Sequence, residues 1–496
     1  GLAFAGVLAL GALTAVLYWQ IPSGFLPAMD EGGFVLDYLT PPGTALEETD
    51  RLIRKVEGIV ATTPEVASFS RRTGSELGLF ATQQNKGDIL VRLKARSQRR
   101  RSAGEIIAAL RPKVQEAAPG AEIEFVQLLQ DMIGDLEGAP TPIEVKIFGD
   151  DPEVLEKVAA LVEPVLRDVR GVVDLVGLQR GNPEISFDID TVAAGRLGLT
   201  VEGISDQLAA GWLGEVATSL RLLDRSIPVR VRYPDDYRFD PSRLGNTPVR
   251  GAEGRVVPVS SLGRVVATNG HSTLTRENLR QMGLLTAHLE GRDLGSAVGE
   301  IRARLASIAL PVGYTLEVGG QYESQRQAFH ELLLVFGVAA FLVLTILVIQ
   351  FRAFIPAILI LAAAPLSFGG AFLLLWIAGT ELNVSSAMGL ILLVGLVVKN
   401  GIVMIDYAHR LHHGGMPFDA AVAEAAKIRL RPILMTTFCT LFGLLPLALG
   451  LGAGAELQKP LALAVIGGLG LSTLVTLLAV PSLYVAVRGR VRPESR

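Results

Sequence analysis

The sequence predicts an α+β membrane protein, with six transmembrane helices and a large region outside the bilayer built from βαβ units. Residues 332–351, 353–378, 384–408, 430–451 and 460–487 are nearly continuous apolar runs, and a sixth run occupies 1–20. Each is long enough to cross a hydrocarbon core of roughly 30 Å. Between Gly33 and Val318, by contrast, charged and apolar residues mix at ordinary density, and the apolar positions alternate between a period of two and a period of about 3.6.

The first run opens on Gly1 rather than on Met. It has no basic n-region and continues from Trp19 through Ile21-Pro22 without a small-residue cleavage site. It therefore reads as a transmembrane helix cut at its start, and the chain as a fragment, rather than as a signal peptide. The formal charge of −3 and the lack of a basic patch interleaved with aromatics give no sign of nucleic-acid binding. Cys439 is the sole cysteine and lies in an apolar run, which excludes intrachain disulfides and cysteine-based metal sites and suits a small core residue.

Loop charge sets the orientation. Arg352 follows the second run, His409, Arg410, Lys427, Arg429 and Arg431 follow the fourth, and Arg488, Arg490 and Arg492 follow the sixth. These sites alternate with the less basic 379–383 and 452–459. Placing the basic set in the cytoplasm puts the 30–325 region on the opposite face, the periplasm of a Gram-negative cell.

Within that region the pattern is a strand at Phe34–Thr40, a helix at Ala45–Thr62, strands at Ala67–Arg72 and Asp88–Lys94, a helix at Ser102–Ala118 and a strand at Glu122–Gln127. This is β-α-β-β-α-β, the ferredoxin-like unit. The pattern restarts with a strand at Ile143–Phe148, a helix at Asp151–Val169 and a strand at Val172–Val176. Its second half appears only at Met282–Leu289, Leu294–Leu310 and Tyr314–Val318. Between the halves lies an insertion with strands at Glu184–Ile189 and Ile227–Tyr233 and helices near Thr191–Leu197 and Val201–Ala210. No paired catalytic carboxylates, Ser/His/Asp arrangement or phosphate-holding Gly-rich loop stands out, so neither an enzyme nor a cofactor is expected.

Several motifs now agree in order. They are Phe25-Leu-Pro-Ala-Met-Asp-Glu-Gly32 with Pro41-Pro-Gly43, Glu144-Val-Lys-Ile-Phe-Gly-Asp-Asp151, Gly395-Leu-Val-Val-Lys-Asn400, Arg429-Leu-Arg-Pro-Ile-Leu-Met-Thr-Thr437 and Gly454-Ala-Glu-Leu-Gln-Lys-Pro-Leu461. One span, two βαβ subdomains with an insertion, then five spans, carrying these motifs, resembles the C-terminal half of a resistance–nodulation–division efflux transporter. The resemblance implies a seventh family helix at 1–22, a first porter subdomain at 30–141, and a second at 142–181 with 270–322. It implies an inserted docking subdomain at 182–269 and a five-helix bundle at 330–490. Secretion-accessory relatives of the same superfamily have smaller periplasmic domains and no such insertion.

Lys399 lies inside an apolar run, where a charge is expensive and usually finds an internal partner; the alternative is a lysine snorkelling to the interface. The resemblance makes it the lysine that pairs with two aspartates of the fourth helix, supplied by an N-terminal half not in this chain. Protonation of those carboxylates would release it and drive the cycle from the proton motive force. Asp406, seven residues on and on the same face, is either a proton-access residue or a solvated helix end. Thr436 resembles the family's relay hydroxyl, or bonds back to its own helix. Arg429 resembles a basic residue at the cytoplasmic proton exit, and Asn400 can bond across helices.

The resemblance also implies a homotrimer working with a periplasmic membrane fusion protein and an outer-membrane channel, within the lipid bilayer. Cargo signals are mixed. The porter motifs look like the heavy-metal branch, while a lysine at 399 looks like the drug and amphiphile branch. Met132 falls near one of the three periplasmic methionines of the copper/silver branch; the other two have no counterpart, Asp37 standing where one would be and 69–84 containing no Met. A lone Met fits a gap-filling core role, and Asp131, Asp135 and Glu137 fit an acidic loop. The expectation from sequence is efflux of hydrophobic or amphiphilic compounds, as in multidrug resistance, with heavy-metal cations as the alternative.

Overall fold

The computed structural model describes residues 2–27, 29–75, 82–128, 141–178, 181–270, 274–452 and 454–488. It divides into two compact units, Gly1–Pro41 with Ala45–Leu178 and Thr275–Arg496, and Pro42–Thr44 with Gln179–Leu274.

The larger unit starts with α1 (Leu2–Gln20), followed by a strap of bends into β1 (Gly33–Leu39). Then come α2 (Leu46–Ala61), β2 (Val66–Thr73), β3 (Lys86–Leu93), α3 (Ala103–Ala117) and β4 (Glu122–Val126). The sheet runs β2-β3-β1-β4 and its pairs are antiparallel. Phe34, Leu36 and Tyr38 alternate onto the buried face of β1, and α2 answers with Ile53, Val56 and Val60 at helical spacing. Each such fully buried side chain stabilises the fold by about 2 kcal/mol. Helix α3 starts where the sequence says it should. Ser102 and Glu105 form a capping box, and Ile106, Leu110 and Val114 face the core.

The second subdomain begins with β5 (Ile143–Phe148), α4 (Pro152–Arg167) and β6 (Val172–Val176). Asp151 caps α4, and Pro152 occupies its first turn, where no N–H is needed.

The chain then forms the smaller unit. It comprises β7 (Pro183–Ile189), α5 (Thr191–Arg196), α6 (Val201–Trp212), β8 (Glu215–Arg221), β9 (Ser226–Val231) and α7 (Asp235–Arg238), followed by β10 (Pro248–Arg250), β11 (Val256–Pro258) and β12 (Gly263–Asn269). β7 pairs with β12, β10 with β11, and β8 with β9, around a small core of Ala194, Ile204, Val249, Val259 and Leu262. The sequence reading did not mark β8, although its partner β9, equally exposed at every residue, was expected. β10 and β11 are too short to carry a period.

Back in the larger unit, β13 (Thr275–Glu277), β14 (Arg280–Leu289), α8 (Leu294–Leu305) and β15 (Thr315–Gly319) complete the second subdomain. Its sheet runs β13-β14-β5-β15, and β6 pairs with β14. Helix α8 stops at Leu305 rather than at Leu310: the chain turns at Ala306–Ile308 ahead of Pro311, which disfavours helix in the residue before it.

The remaining helices are α9 (Gln321–Phe351), α10 (Phe354–Ile377), α11 (Val384–His413), α12 (Phe418–Ala448) and α13 (Ala455–Leu474), the last continuing through a π-helical turn into α14 (Val480–Arg488). Among the described residues, five segments are long and apolar enough to cross a membrane: α9, α10, α11, α12 and Ala455–Val487. The stretch Phe4–Gln20 of α1 is apolar but shorter, so the expected sixth span is not matched at that length. Helices α9 and α12 leave most of their apolar surface uncovered, whereas α10, α11 and α13 bury about half of theirs and form the centre. The expected basic connection after the fourth span is instead helix. His409 and Arg410 end α11, Lys427, Arg429 and Arg431 lie within α12, and only Gly414–Pro417 turns between them. Two helices of about 45 Å overshoot the hydrocarbon core, so their polar ends escape a hydropathy reading.

Small residues set the packing of the centre. A Cβ on Gly370 would strike the Gly467 carbonyl, and one on Gly467 would strike the Gly370 carbonyl, so α10 and α13 touch backbone to backbone. Helices α10 and α12 continue through Pro365 and Pro446.

Candidate functional site

Helix α11 is two-faced. Gly389, Leu393, Val397, Asn400, Gly401 and Met404 are buried. Gly389 lies against the Leu461 carbonyl and Ala464 of α13, Gly468 of α13 lies against Leu393, and Gly401 against Ile360 of α10. Lys399 falls on the opposite face with Met388, Leu392 and Gly395, and it is exposed in this chain. No ion pair to Lys399 forms among the described residues. Asn400, its neighbour, points inward and is 6% exposed. Among the described residues none of the expected relay residues is hydrogen-bonded or ion-paired to Lys399. Thr436 is exposed on α12 and donates back to the Ile433 carbonyl at 3.0 Å, while its neighbour Thr437 is buried against Thr473 at 3.1 Å. Asp406 pairs with Arg410 at 3.0 Å, one turn on. Arg429 stacks on the Tyr407 ring at 4.5 Å, with a buried Nε that has no hydrogen-bond partner. At the same end, His409 Nε2 meets the Tyr484 hydroxyl at 2.6 Å.

At the other end of the bundle, the strap after α1 pairs with the turn before α11. Gly24 N–H donates to the Leu382 carbonyl at 3.1 Å, and Leu382 N–H to the Pro22 carbonyl at 2.8 Å. The Glu381 carboxylate lies close against Gly24, where a Cβ would displace it. Glu381 opens into a cavity of 210 Å³ also lined by Phe25, Met29, Glu31, Gln127 and Arg292. Burial, reinforced by the nearby Asp293 carboxylate, raises its pKa above the usual carboxylate value. Gln127 Oε1 is buried there without a donor. A group so placed takes up a proton or accepts a cation more readily than an ordinary surface carboxylate. Among the described residues no group of three or more His, Cys, Asp or Glu forms a ready-made metal site. Met132, Asp131, Asp135 and Glu137 lie outside the described residues.

A larger cavity of 680 Å³ sits beside the edge strand β15, between the end of α8 and the start of α9. Lys146, Arg302, Glu317, Tyr322 and Glu323 line it. Lys146 is held by Glu277 at 2.9 Å, and burial raises the pKa of the adjacent Glu144.

The two βαβ subdomains are joined by charge. Arg111 of α3 forks onto the fully buried Asp174 of β6, at 2.7 and 2.9 Å, and also reaches Glu290. His288 of β14 meets Glu124 of β4 at 2.6 Å. Sequence reasoning singled out none of Glu381, Arg111, Asp174 or His288. Their partners are distant in the chain, and no local pattern announces them.

Against known proteins, the model of the AcrB/AcrD/AcrF family matches residues 2–488. The chain is 32% identical over 495 residues to the cobalt-zinc-cadmium resistance protein CzcA of Cupriavidus metallidurans, covering 96% of the chain and 46% of that protein. It is 30% identical over 500 residues to the nickel and cobalt resistance protein CnrA of the same organism, covering 98% and 46%. It is 27% identical over 502 residues to the cation efflux system protein CusA of Escherichia coli K12, covering 96% and 47%. An X-ray crystal structure of a heavy metal efflux pump, crystal form II, superposes with a TM-score of 0.89 at 30% identity, covering 98% of the chain and 51% of the other. The chain spans about half the length of the curated relatives it matches.

Proposed function

The chain belongs to the AcrB/AcrD/AcrF family of resistance–nodulation–division permeases, and on that footing we propose that it is part of a heavy-metal efflux pump of a bacterial inner membrane. The observation that carries this reading is its likeness, over nearly its whole length, to proteins named for cobalt, zinc, cadmium and nickel resistance. That likeness favours a metal cargo over the amphiphilic cargo expected from the sequence. Borderline divalent cations suit the chain better than copper or silver, because carboxylates and a carbonyl oxygen line the 210 Å³ cavity and Met29 is its one thioether among the described residues. Glu381 and Glu31 are the groups a passing cation would meet there.

The driving force in this reading is the proton gradient. Lys399 faces out of this chain's bundle, and an acid pair contributed by the rest of the permease would neutralise it. Protonation of that pair weakens the attraction and lets α11 shift. One charge crossing 100 mV supplies about 2.3 kcal/mol, enough to bias states a few kcal/mol apart. The permease would act as a homotrimer with a membrane fusion protein and an outer-membrane channel, its βαβ subdomains in the periplasm.

The test is metal and dye resistance in a pump-deleted strain, with the protein as its gene encodes it, compared with Lys399→Ala and with an uncoupler. Resistance to zinc, cadmium, cobalt or nickel that both treatments abolish is the expected result. Resistance confined to dyes and detergents sinks the metal reading. Undiminished export by Lys399→Ala removes that residue from coupling.

A further inference from the structure

Two residues of the sequence motifs, neither of them given a part in handling protons or metal above, meet across 426 residues: the Asp30 N–H donates to Glu456 Oε2 at 2.6 Å. Glu456 sits in the first turn of α13, the helix packed against α10, α11 and α12. The side chain of Asp30 is turned the other way, into the first βαβ subdomain. Arg99 donates to Oδ2 at 2.7 Å and to Oδ1 with its second amino group, and the Ala103 N–H at the start of α3 donates at 3.3 Å. The Arg99 side chain is 1% exposed and is itself fixed by the Lys94 and Arg101 carbonyls at 3.0 and 2.7 Å. Asp30 therefore holds the membrane bundle with its main chain and the subdomain outside the membrane with its side chain.

We propose that Glu456 and Asp30 are positioning residues for transport, which carry movement of the membrane bundle into the first βαβ subdomain. The proposal rests on the transport reading and adds the route. Lys399 shares α11 with Gly389, which lies against Leu461 and Ala464 of α13. A shift of α11 is felt at that contact, five residues along α13 from Glu456. From there it reaches Asp30 through one charge-assisted hydrogen bond, and α3 through Arg99 and the Ala103 amide. A buried, close-packed contact and a bonded clasp transmit displacement, where a solvated loop would absorb it. The same strap is paired at residues 22–25 with the turn before α11, so both of its ends move with the bundle.

The experiment compares Glu456→Ala and Glu456→Gln in the protein as its gene encodes it, by hydrogen exchange of the 29–33 amides, cadmium binding in detergent, and cadmium flux in proteoliposomes under a proton gradient. The Gln variant keeps an oxygen that accepts from Asp30. Expected for Glu456→Ala are faster exchange at Asp30 by about tenfold, kcat lowered by about tenfold, and KM and cadmium affinity held within about twofold. Expected for Glu456→Gln is exchange and flux near wild type. Unchanged exchange in Glu456→Ala overturns the clasp, and faster exchange with undiminished flux overturns its role in transmission. A rise in KM at constant kcat assigns Glu456 to cargo instead, and equal loss in the Gln and Ala variants denies the hydrogen bond. If the wild type moves no cadmium, the transport reading fails on its own, and unchanged or faster exchange still decides whether the clasp exists.

Discussion

At the scale of single residues, the chain invests its strongest interactions where segments distant in sequence meet. Asp30 and Arg99 are both nearly withdrawn from water, with side chains 8% and 1% exposed. Removing one partner of such a pair strands the other charge, and Asp30→Asn is expected to lower stability by about 3 kcal/mol, measured as loss of folded protein on chemical denaturation in detergent. The pH dependence has a definite sign. Burial alone would raise the Asp30 carboxyl, but hydrogen bonds from Arg99, Gly32 and Ala103 outweigh it and hold the pKa below the ordinary 3.8. A group depressed in the folded state binds its proton more tightly when unfolded. Its contribution is complete above the ordinary value and disappears as pH falls through the lowered one. Wild type should therefore lose stability more steeply than Asp30→Asn below about pH 4, and parallel curves would show that the clasp is not what acid attacks. Lys399 was legible in the sequence because a charge in an apolar run is anomalous anywhere. Asp30 and Glu456 were legible only as members of motifs, because the contact that gives them a role spans the chain.

Among elements, legibility followed periodicity. The strands and helices of both βαβ units came within a few residues of their expected ends, since alternation by two and by 3.6 persists over each element. Helix α12 was expected from residue 430 and starts at Phe418, because Asp419, Glu424, Lys427 and Arg429 mask its first turns from any hydropathy reading. Gly370 and Gly467 decide how α10 and α13 approach. Gly467→Ala puts a methyl group into the Gly370 carbonyl, which helix geometry cannot relieve by a rotamer change. It should cost about 1–3 kcal/mol, seen as a lowered apparent Tm in detergent. Gly470→Ala, three residues further along the same helix and facing open space, is the control and should be neutral or slightly stabilising. Equal effects at the two positions would mean that helix propensity rather than contact sets the outcome.

At the scale of the whole molecule, the proposed export cycle has the two βαβ subdomains keep a defined relation while the bundle moves. The joint between them is ionic: Arg111 spans from α3 to Asp174 on β6 and to Glu290, while His288 and Glu124 meet nearby. Asp174 has no exposed side-chain surface and sits at a left-handed φ of 49°, a conformation that Asp and Asn tolerate better than other residues. Its backbone is thus bent to present the carboxylate to Arg111. Arg111→Leu leaves that carboxylate buried without its cation and should cost about 3–5 kcal/mol, whereas Arg111→Leu with Asp174→Asn removes the orphaned charge while keeping the backbone. The double variant should recover most of the loss, giving a coupling energy of about 2 kcal/mol or more in a denaturation cycle. Additive losses would instead mean that the ion pair does not hold the joint, leaving it to apolar contact between the subdomains. The distinction bears on mechanism, because an ionic joint is directional and holds one register of β4 against β6, whereas an apolar one can slide.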